Sequence, residues 1–195
     1  MERPLYMDQP TIIQPLNSTD VEGAYLVFGR SITQAFNQEG LGSLQDDIKD
    51  EIEHKKSLLQ STLHPDKSSE STDTGSFFLL AKRGNNVVGT ISYAPCGEEI
   101  RIVSENRLND IGELGSLYIL PEVQGQGLGS MLIQALATEL QKRGIKQFCL
   151  DSGYRTAQKK WQRKFGEPYT VAHNYWGEGT DHMVWLCNVN DFAAN

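Results

Sequence analysis

Residues Gln124-Gly125-Gln126-Gly127-Leu128-Gly129-Ser130 stand between a hydrophobic run, Leu117-Tyr118-Ile119-Leu120, and an apolar stripe of helical spacing, Leu128, Met131, Leu132, Ala135, Leu136 and Leu140. Glycines at a strand-to-helix turn let the main chain approach a ligand closely. The first amides of the helix then point outward with the positive end of its dipole. Such a turn is an anion site, suited to a pyrophosphate. The phosphate loop GxxxxGK followed by Ser or Thr occurs nowhere in the chain. Gly125-x-Gly127-x-x-Ser130 comes close to the dinucleotide fingerprint GxGxxG/A, with Asp151 ending the next predicted strand where a ribose-binding acid would stand. Against that reading, Pro121-Glu122-Val123-Gln124 separate the strand from the first glycine. Only 44 residues follow Asp151, too few to finish a doubly wound sheet.

Other residues could move protons or hold charge. Arg155, Lys159, Lys160, Arg163 and Lys164 crowd five of the 18 basic residues into ten positions, either to flank phosphates or as a solvated helix face. The stretch from His173 to His182 is dense in aromatics. There His182 could act as a base and Glu178 or Asp181 could attract a cationic amine, while Tyr175 and Trp176 either line a site or close the core. No two of His54, His64, His173 and His182 have ligand spacing, so no metal site is expected.

Composition narrows the partners. The 195 residues carry 18 Lys+Arg against 25 Asp+Glu, a formal charge of −7, with a pI near 5.1. That balance disfavours nucleic acid and anionic membranes, which are bound through Lys and Arg. The start, Met1-Glu2-Arg3-Pro4-Leu5-Tyr6, lacks the apolar core of a secretory signal, and no apolar stretch reaches membrane-spanning length. Cys96, Cys149 and Cys187 are odd in number and widely spaced, which points to a reducing, cytoplasmic compartment rather than a disulfide framework. One domain over residues 1–195, monomeric or homodimeric, is expected.

The elements that must position these residues follow from periodicity. Residues 11–16 read as a short strand limited by Pro15. Thr19-Asp20-Val21-Glu22 reads as a capping box before a helix whose face is Val21, Ala24, Tyr25, Phe28, Ile32 and Phe36, ending near Gly40. A second helix is predicted over 43–63 with Leu44, Ile48 and Ile52 as its stripe, and residues 64–75 read as a flexible loop. Strands are predicted at 76–81 and 87–93 around a hairpin, and at 113–120 after a polar stretch with Glu98, Glu99, Glu105 and Asp110. The glycine turn opens a helix capped near Gly144. A strand at 146–151, a helix with Ala157, Trp161 and Phe165, and strands at 169–172 and 181–187 complete the order β-α-α-β-β-β-α-β-α-β-β, a mixed α/β domain.

Both the turn and this order resemble one family. Gln124-x-x-Gly127-x-Gly129 is similar to the Gln/Arg-x-x-Gly-x-Gly/Ala signature of the GNAT family of N-acetyltransferases. The resemblance covers most of residues 11–190 and is strongest over 113–166. It implies a mostly antiparallel mixed sheet of about seven strands flanked by about four helices. It also implies transfer of acetyl from acetyl-coenzyme A directly to a primary amine, with no covalent enzyme intermediate and no metal. The amides of Gln126, Gly127, Leu128, Gly129 and Ser130, with Gly125 adjoining and Gln124 opening the turn, would cradle the pyrophosphate. The main chain of Leu117, Tyr118 and Ile119 would pair with the pantetheine arm where the signature strand splays from the next at a bulge. An amide near Ile119 would polarise the thioester carbonyl, worth ~2.7–4 kcal/mol in the transition state.

An amine of pKa ~10.4 must lose a proton before it can attack. Glu113, eleven residues before Gln124, stands where histone-acetylating members carry a glutamate base. The family's tyrosine acid on the helix after the fifth strand is missing here, because Trp161 and Gln162 occupy its place; Tyr154 and Tyr175 are the substitutes. A non-catalytic acyl-coenzyme A module and a nucleotide-binding enzyme stay open as alternatives.

Overall fold

The computed structural model describes residues 9–64 and 75–194; most of the loop expected at 64–75 lies outside them. A seven-stranded sheet runs through the molecule. Its strands are β1 (Thr11–Pro15), β2 (Phe77–Arg83), β3 (Asn86–Pro95), β4 (Gly112–Ile119), β5 (Gln147–Ser152), β6 (Thr170–Ala172) and β7 (His182–Asn188), in the spatial order β1-β2-β3-β4-β5-β7-β6. Every neighbouring pair is antiparallel except β4–β5, which is parallel and in register only at Glu113 and Cys149. With β4–β5 the one parallel pair in this sheet, it is not a doubly wound parallel sheet, so the dinucleotide reading of Gly125-x-Gly127-x-x-Ser130 fails.

Strand alternation divides the side chains between two faces. One face carries Phe78, Ser92, Glu113, Tyr118 and Asp151. It is covered by α1 (Val21–Gln38), whose Phe28 packs on Phe78 and Tyr118, and by α2 (Gln45–Leu63), whose Glu51 meets Tyr118. The other face is covered by α4 (Leu128–Lys142), whose Leu132 lies over Gly89, and by α5 (Arg155–Phe165), whose Phe165 packs on Phe148. Burial of Ala24, Phe28, Ile32, Leu80, Ile91, Leu132, Leu136, Phe148 and Trp185 makes the core.

The structure departs from the local sequence signals at three places. No capping box forms at Thr19: the Asn17 side chain accepts the Thr19 amide at 2.9 Å, and Asp20, at the N-cap of α1, turns its carboxylate to Lys82 at 2.6 Å. Leu44 precedes α2 and is exposed, because α2 begins at Gln45. The polar stretch before β4 contains a fifth helix, α3 (Glu98–Val103), which buries Ile100 against Cys96, Leu108, Cys149 and Val184. Six residues with one fully buried side chain leave no periodicity to detect. The three cysteines are buried free thiols. No described helix is long and apolar enough to cross a membrane.

Candidate active site

The turn from β4 into α4 is an open cradle. Gly127 is the N-cap of α4 at φ +82°, and Gly125 precedes it at φ +76°, backbone conformations that cost most side chains 1–2 kcal/mol by order of magnitude. A Cβ at either position would meet nothing within 4 Å, and no side chain caps the helix. The first amides of α4 therefore keep their donors for something else. Side chains lock the turn from several directions. Gln124 Nε2 donates to Ile119 O at 3.0 Å, Arg83 donates to Gln126 Oε1 at 2.7 Å, and Arg30 pairs with Glu122 at 2.6 Å. From α5, Lys164 reaches Ser130 Oγ at 3.2 Å, while Arg155 binds Gly179 O at 2.6 Å; Lys159, Lys160 and Arg163 are exposed.

From this cradle a wedge opens between β4 and β5. The β3–β4 register jumps between Thr90 and Ser92, so that β4 bulges at Ser116, which sits at φ +47° with its carbonyl bound by Thr90 Oγ1 at 2.7 Å. Beyond the bulge, Leu120 N donates to Val88 O. Antiparallel alternation then turns the main chain of Tyr118 towards β3 and that of Leu117 and Ile119 towards the wedge. Ile119 O already accepts from Ser31 Oγ and Gln124 Nε2. The bulge has a second effect: Tyr118, five residues after Glu113 and so on the opposite face of a regular strand, is brought to the face of Glu113.

Glu113 lies where β4 and β5 still touch. Its Oε2 accepts the Gly97 amide at 2.8 Å. Burial, and then the like charge of Asp151, push its carboxyl up to about 7, against the Gly97 amide and the Lys55 ammonium, which lower it. A Cβ on Gly115 would stand 3.1 Å from Glu113 Oε1 and 3.3 Å from Ser92 Oγ, so glycine there leaves a polar notch between the carboxylate and that buried hydroxyl. The Tyr118 hydroxyl donates to Glu51 Oε1 at 3.1 Å, and burial with Glu51 holds its phenol well above the usual range. Tyr154 packs edge-on against Phe36 at 5.7 Å; burial, then Glu51, Glu39 and Asp47, push its phenol up to about 12. Both phenols keep their protons at neutral pH.

Other sequence candidates are engaged elsewhere. His182 is buried with both ring nitrogens bonded, to Trp176 and Asp151, so it is not a free base. Asp181 holds His173 at 3.0 Å and the Asn174 amide at 3.0 Å. Trp161 packs on Phe165, and Gln162 is exposed. Residues that no local pattern marks complete the site. Gln158 is buried and ties Ser152 O to Asp181 O, at 2.9 and 2.8 Å, and Glu39 accepts the Thr156 amide at 2.9 Å in the first turn of α5. No group of three or more metal-ligating side chains gathers among the described residues.

Comparisons with known proteins agree with this architecture. The model of the acetyltransferase (GNAT) family matches residues 42–166. The chain is similar to the ribosomal-protein-S18-alanine N-acetyltransferase of Escherichia coli (17% identity, TM-score 0.56, covering 92% of this chain and 94% of that one). It is similar to the PaiA N-acetyltransferase of Thermoplasma acidophilum in complex with coenzyme A (17%, 0.58, 92% and 99%). A ribosomal-protein-alanine N-acetyltransferase from Brucella melitensis superposes as well (18%, 0.60, 91% and 99%). No curated protein matches in sequence. With the family model spanning well over half of its length and the same fold in each structure, the chain belongs to the GNAT family of acetyltransferases.

Proposed function

We propose that this protein transfers an acetyl group from acetyl-coenzyme A directly to a primary amine, in a ternary complex. The observation that carries this reading is the continuity of three features: the open amide cradle at 125–130, the β4–β5 wedge, and Glu113 at its closed end. The cradle fits a diphosphate, with the amides of Gln126, Gly127, Leu128, Gly129 and Ser130 as donors and Lys164 beside them. Leu117 and Ile119 offer main-chain groups to an extended arm. Bound there, the carrier supplies an activated thioester.

The residues of the chain supply the rest. Glu113 takes one proton from the ammonium form of the acceptor, through a water held in the notch beside Ser92. The freed nitrogen lone pair forms the C–N bond as the C–S bond breaks and its electron pair leaves with sulfur. The second proton lost by nitrogen ends on that sulfur, handed over by Tyr154, which is protonated at the pH where Glu113 is a base. Glu39, Asp47 and Glu51 on the acceptor side favour a cationic amine, whether a small polyamine-like molecule or a peptide amine. The relatives named for ribosomal-protein alanine make a peptide terminus one such acceptor.

The test mixes purified protein with acetyl-coenzyme A and an amine panel and follows free thiol. Amine-dependent thiol release, slowed by ~10²–10⁴-fold in Glu113→Gln, is expected. Tight coenzyme binding without release across the panel identifies a binding module instead, the outcome that Gln162 in place of a phenol would favour. Saturable NADH binding without coenzyme binding overturns both.

A further inference from the structure

Across the face that holds Glu113, three strands adjacent in the sheet, β4, β5 and β7, present Glu113, Asp151 and His182 in a row. His182 is only 3% exposed. Trp176 Nε1 donates to His182 Nδ1 at 2.9 Å, and an indole nitrogen can only donate. The proton of the neutral ring therefore sits on Nε2, which gives it to Asp151 Oδ2 at 2.8 Å.

The surroundings enforce this pairing. A Cβ on Gly153 would stand 2.5 Å from Trp176 Nε1 and 3.4 Å from His182 Nδ1, so only glycine leaves room for it. The Tyr175 ring packs against His182 at 5.3 Å, and Gln158 ties the end of β5 to the residue before His182. A buried polar chain so fully satisfied fixes whatever stands at its open end. That end is Asp151, whose side chain is partly exposed and whose charge acts on Glu113.

We propose that His182 is a positioning residue for the transfer: gripped by Trp176, it fixes the Asp151 carboxylate beside Glu113, so that Asp151 meets the incoming ammonium while Glu113 receives its proton. This rests on the amine-acetylation reading above. The groups that face Glu113 are Asp151 and Cys149 on β5, Tyr118 on β4, Lys55 on α2, and Glu99 with the Gly97 amide at the start of α3. Of these, Asp151 contributes the largest charge effect, so freeing its carboxylate lets Glu113 fall back towards the ordinary range.

Two measurements test it. Carbon-13 glutamate labelling, with the Glu113 resonance assigned by its loss in Glu113→Gln, reads the Glu113 titration without turnover. The pH profile of kcat/KM for an amine reads the same group in action. Asp151→Asn should move both midpoints down by about one pH unit. His182→Phe fills the same space without a donor and should move them in the same direction. Trp176→Phe, at a half-exposed position that tolerates change, should move them less. His182→Gln, whose amide can still reach the carboxylate, should stay near wild type.

Midpoints unmoved in Asp151→Asn and His182→Phe overturn the proposal. So does a pH-independent loss of activity that only tracks a falling Tm. A protein that acetylates no amine yet shows the shifted titration loses the proposed function and keeps this coupling. One that acetylates amines with an unshifted titration keeps the function and loses the coupling.

Discussion

Glu113 is held in a state that suits proton transfer and burdens the fold. Its carboxyl sits at about 7 rather than the ordinary 4.5. The folded protein therefore binds that proton more tightly than the unfolded chain does. Its contribution to stability is whole below pH 4.5 and is lost as pH rises through about 7. Glu113→Gln, which keeps an acceptor for the Gly97 amide, should raise stability by up to about 3 kcal/mol at pH 8 and change it little at pH 5. The same variant should lower kcat by ~10²–10⁴-fold with coenzyme affinity intact. Denaturant titrations at the two pH values and steady-state kinetics check both. Equal stability at both pH values removes the strained carboxyl, and unchanged turnover removes Glu113 from the chemistry. Glu113 could be singled out because its distance from Gln124 is counted along one continuous segment, β4 and the turn that follows it. Asp151, His182 and Trp176 were each visible as residues but not as a chain, because the β5–β7 pairing that joins them is set by tertiary topology.

At the scale of elements, the β4 turn and α4 were readable because glycines and an apolar stripe are local signals, and α4 spans Leu128–Lys142 as the stripe required. The bulge at Ser116 was not. Serine carries no preference for φ +47°, so no local signal placed the bulge at Ser116 or brought Tyr118 to the face of Glu113; the opening beside the signature strand was implied by the family resemblance alone. The short α3 escaped for want of a second turn. The cradle carries its own prediction. Gly127 has positive φ and open space around its missing Cβ, so a side chain there costs the fold only backbone strain, about 1–2 kcal/mol, yet would fill the volume proposed for the diphosphate. Gly144, at φ +73° past the other end of α4 and equally open, supplies the control. Gly127→Val and Gly144→Val should lose similar stability in thermal melts, while only Gly127→Val loses coenzyme A affinity, by roughly tenfold or more by calorimetry. Equal affinities in the two variants would remove the turn from the coenzyme site.

For the whole molecule, the distribution of charge matters more than the sum of −7. Lys164 reaches from α5 to Ser130 in the first turn of α4, where an anionic carrier would dock. Glu39, Asp47, Glu51, Glu113 and Asp151 gather around Tyr154 and the wedge, with Lys55 held by Glu51 at 3.3 Å. A cationic acceptor approaching that side meets an attractive field, which raises its rate of encounter without changing the chemistry once bound. Salt should separate the two. The screening length shrinks from about 30 Å at 0.01 M to about 10 Å at 0.1 M and 3 Å at 1 M. With coenzyme saturating, kcat/KM for an aliphatic diamine should fall roughly tenfold between about 0.01 and 0.5 M salt, while kcat at saturating diamine holds steady. An arylamine, uncharged at the same pH, should lose less than about twofold. The ratio of the two slopes cancels any effect of salt on the fold or on coenzyme docking. Parallel slopes for charged and neutral amines would mean that the acidic wall serves the electrostatics of Glu113 alone and takes no part in choosing the acceptor.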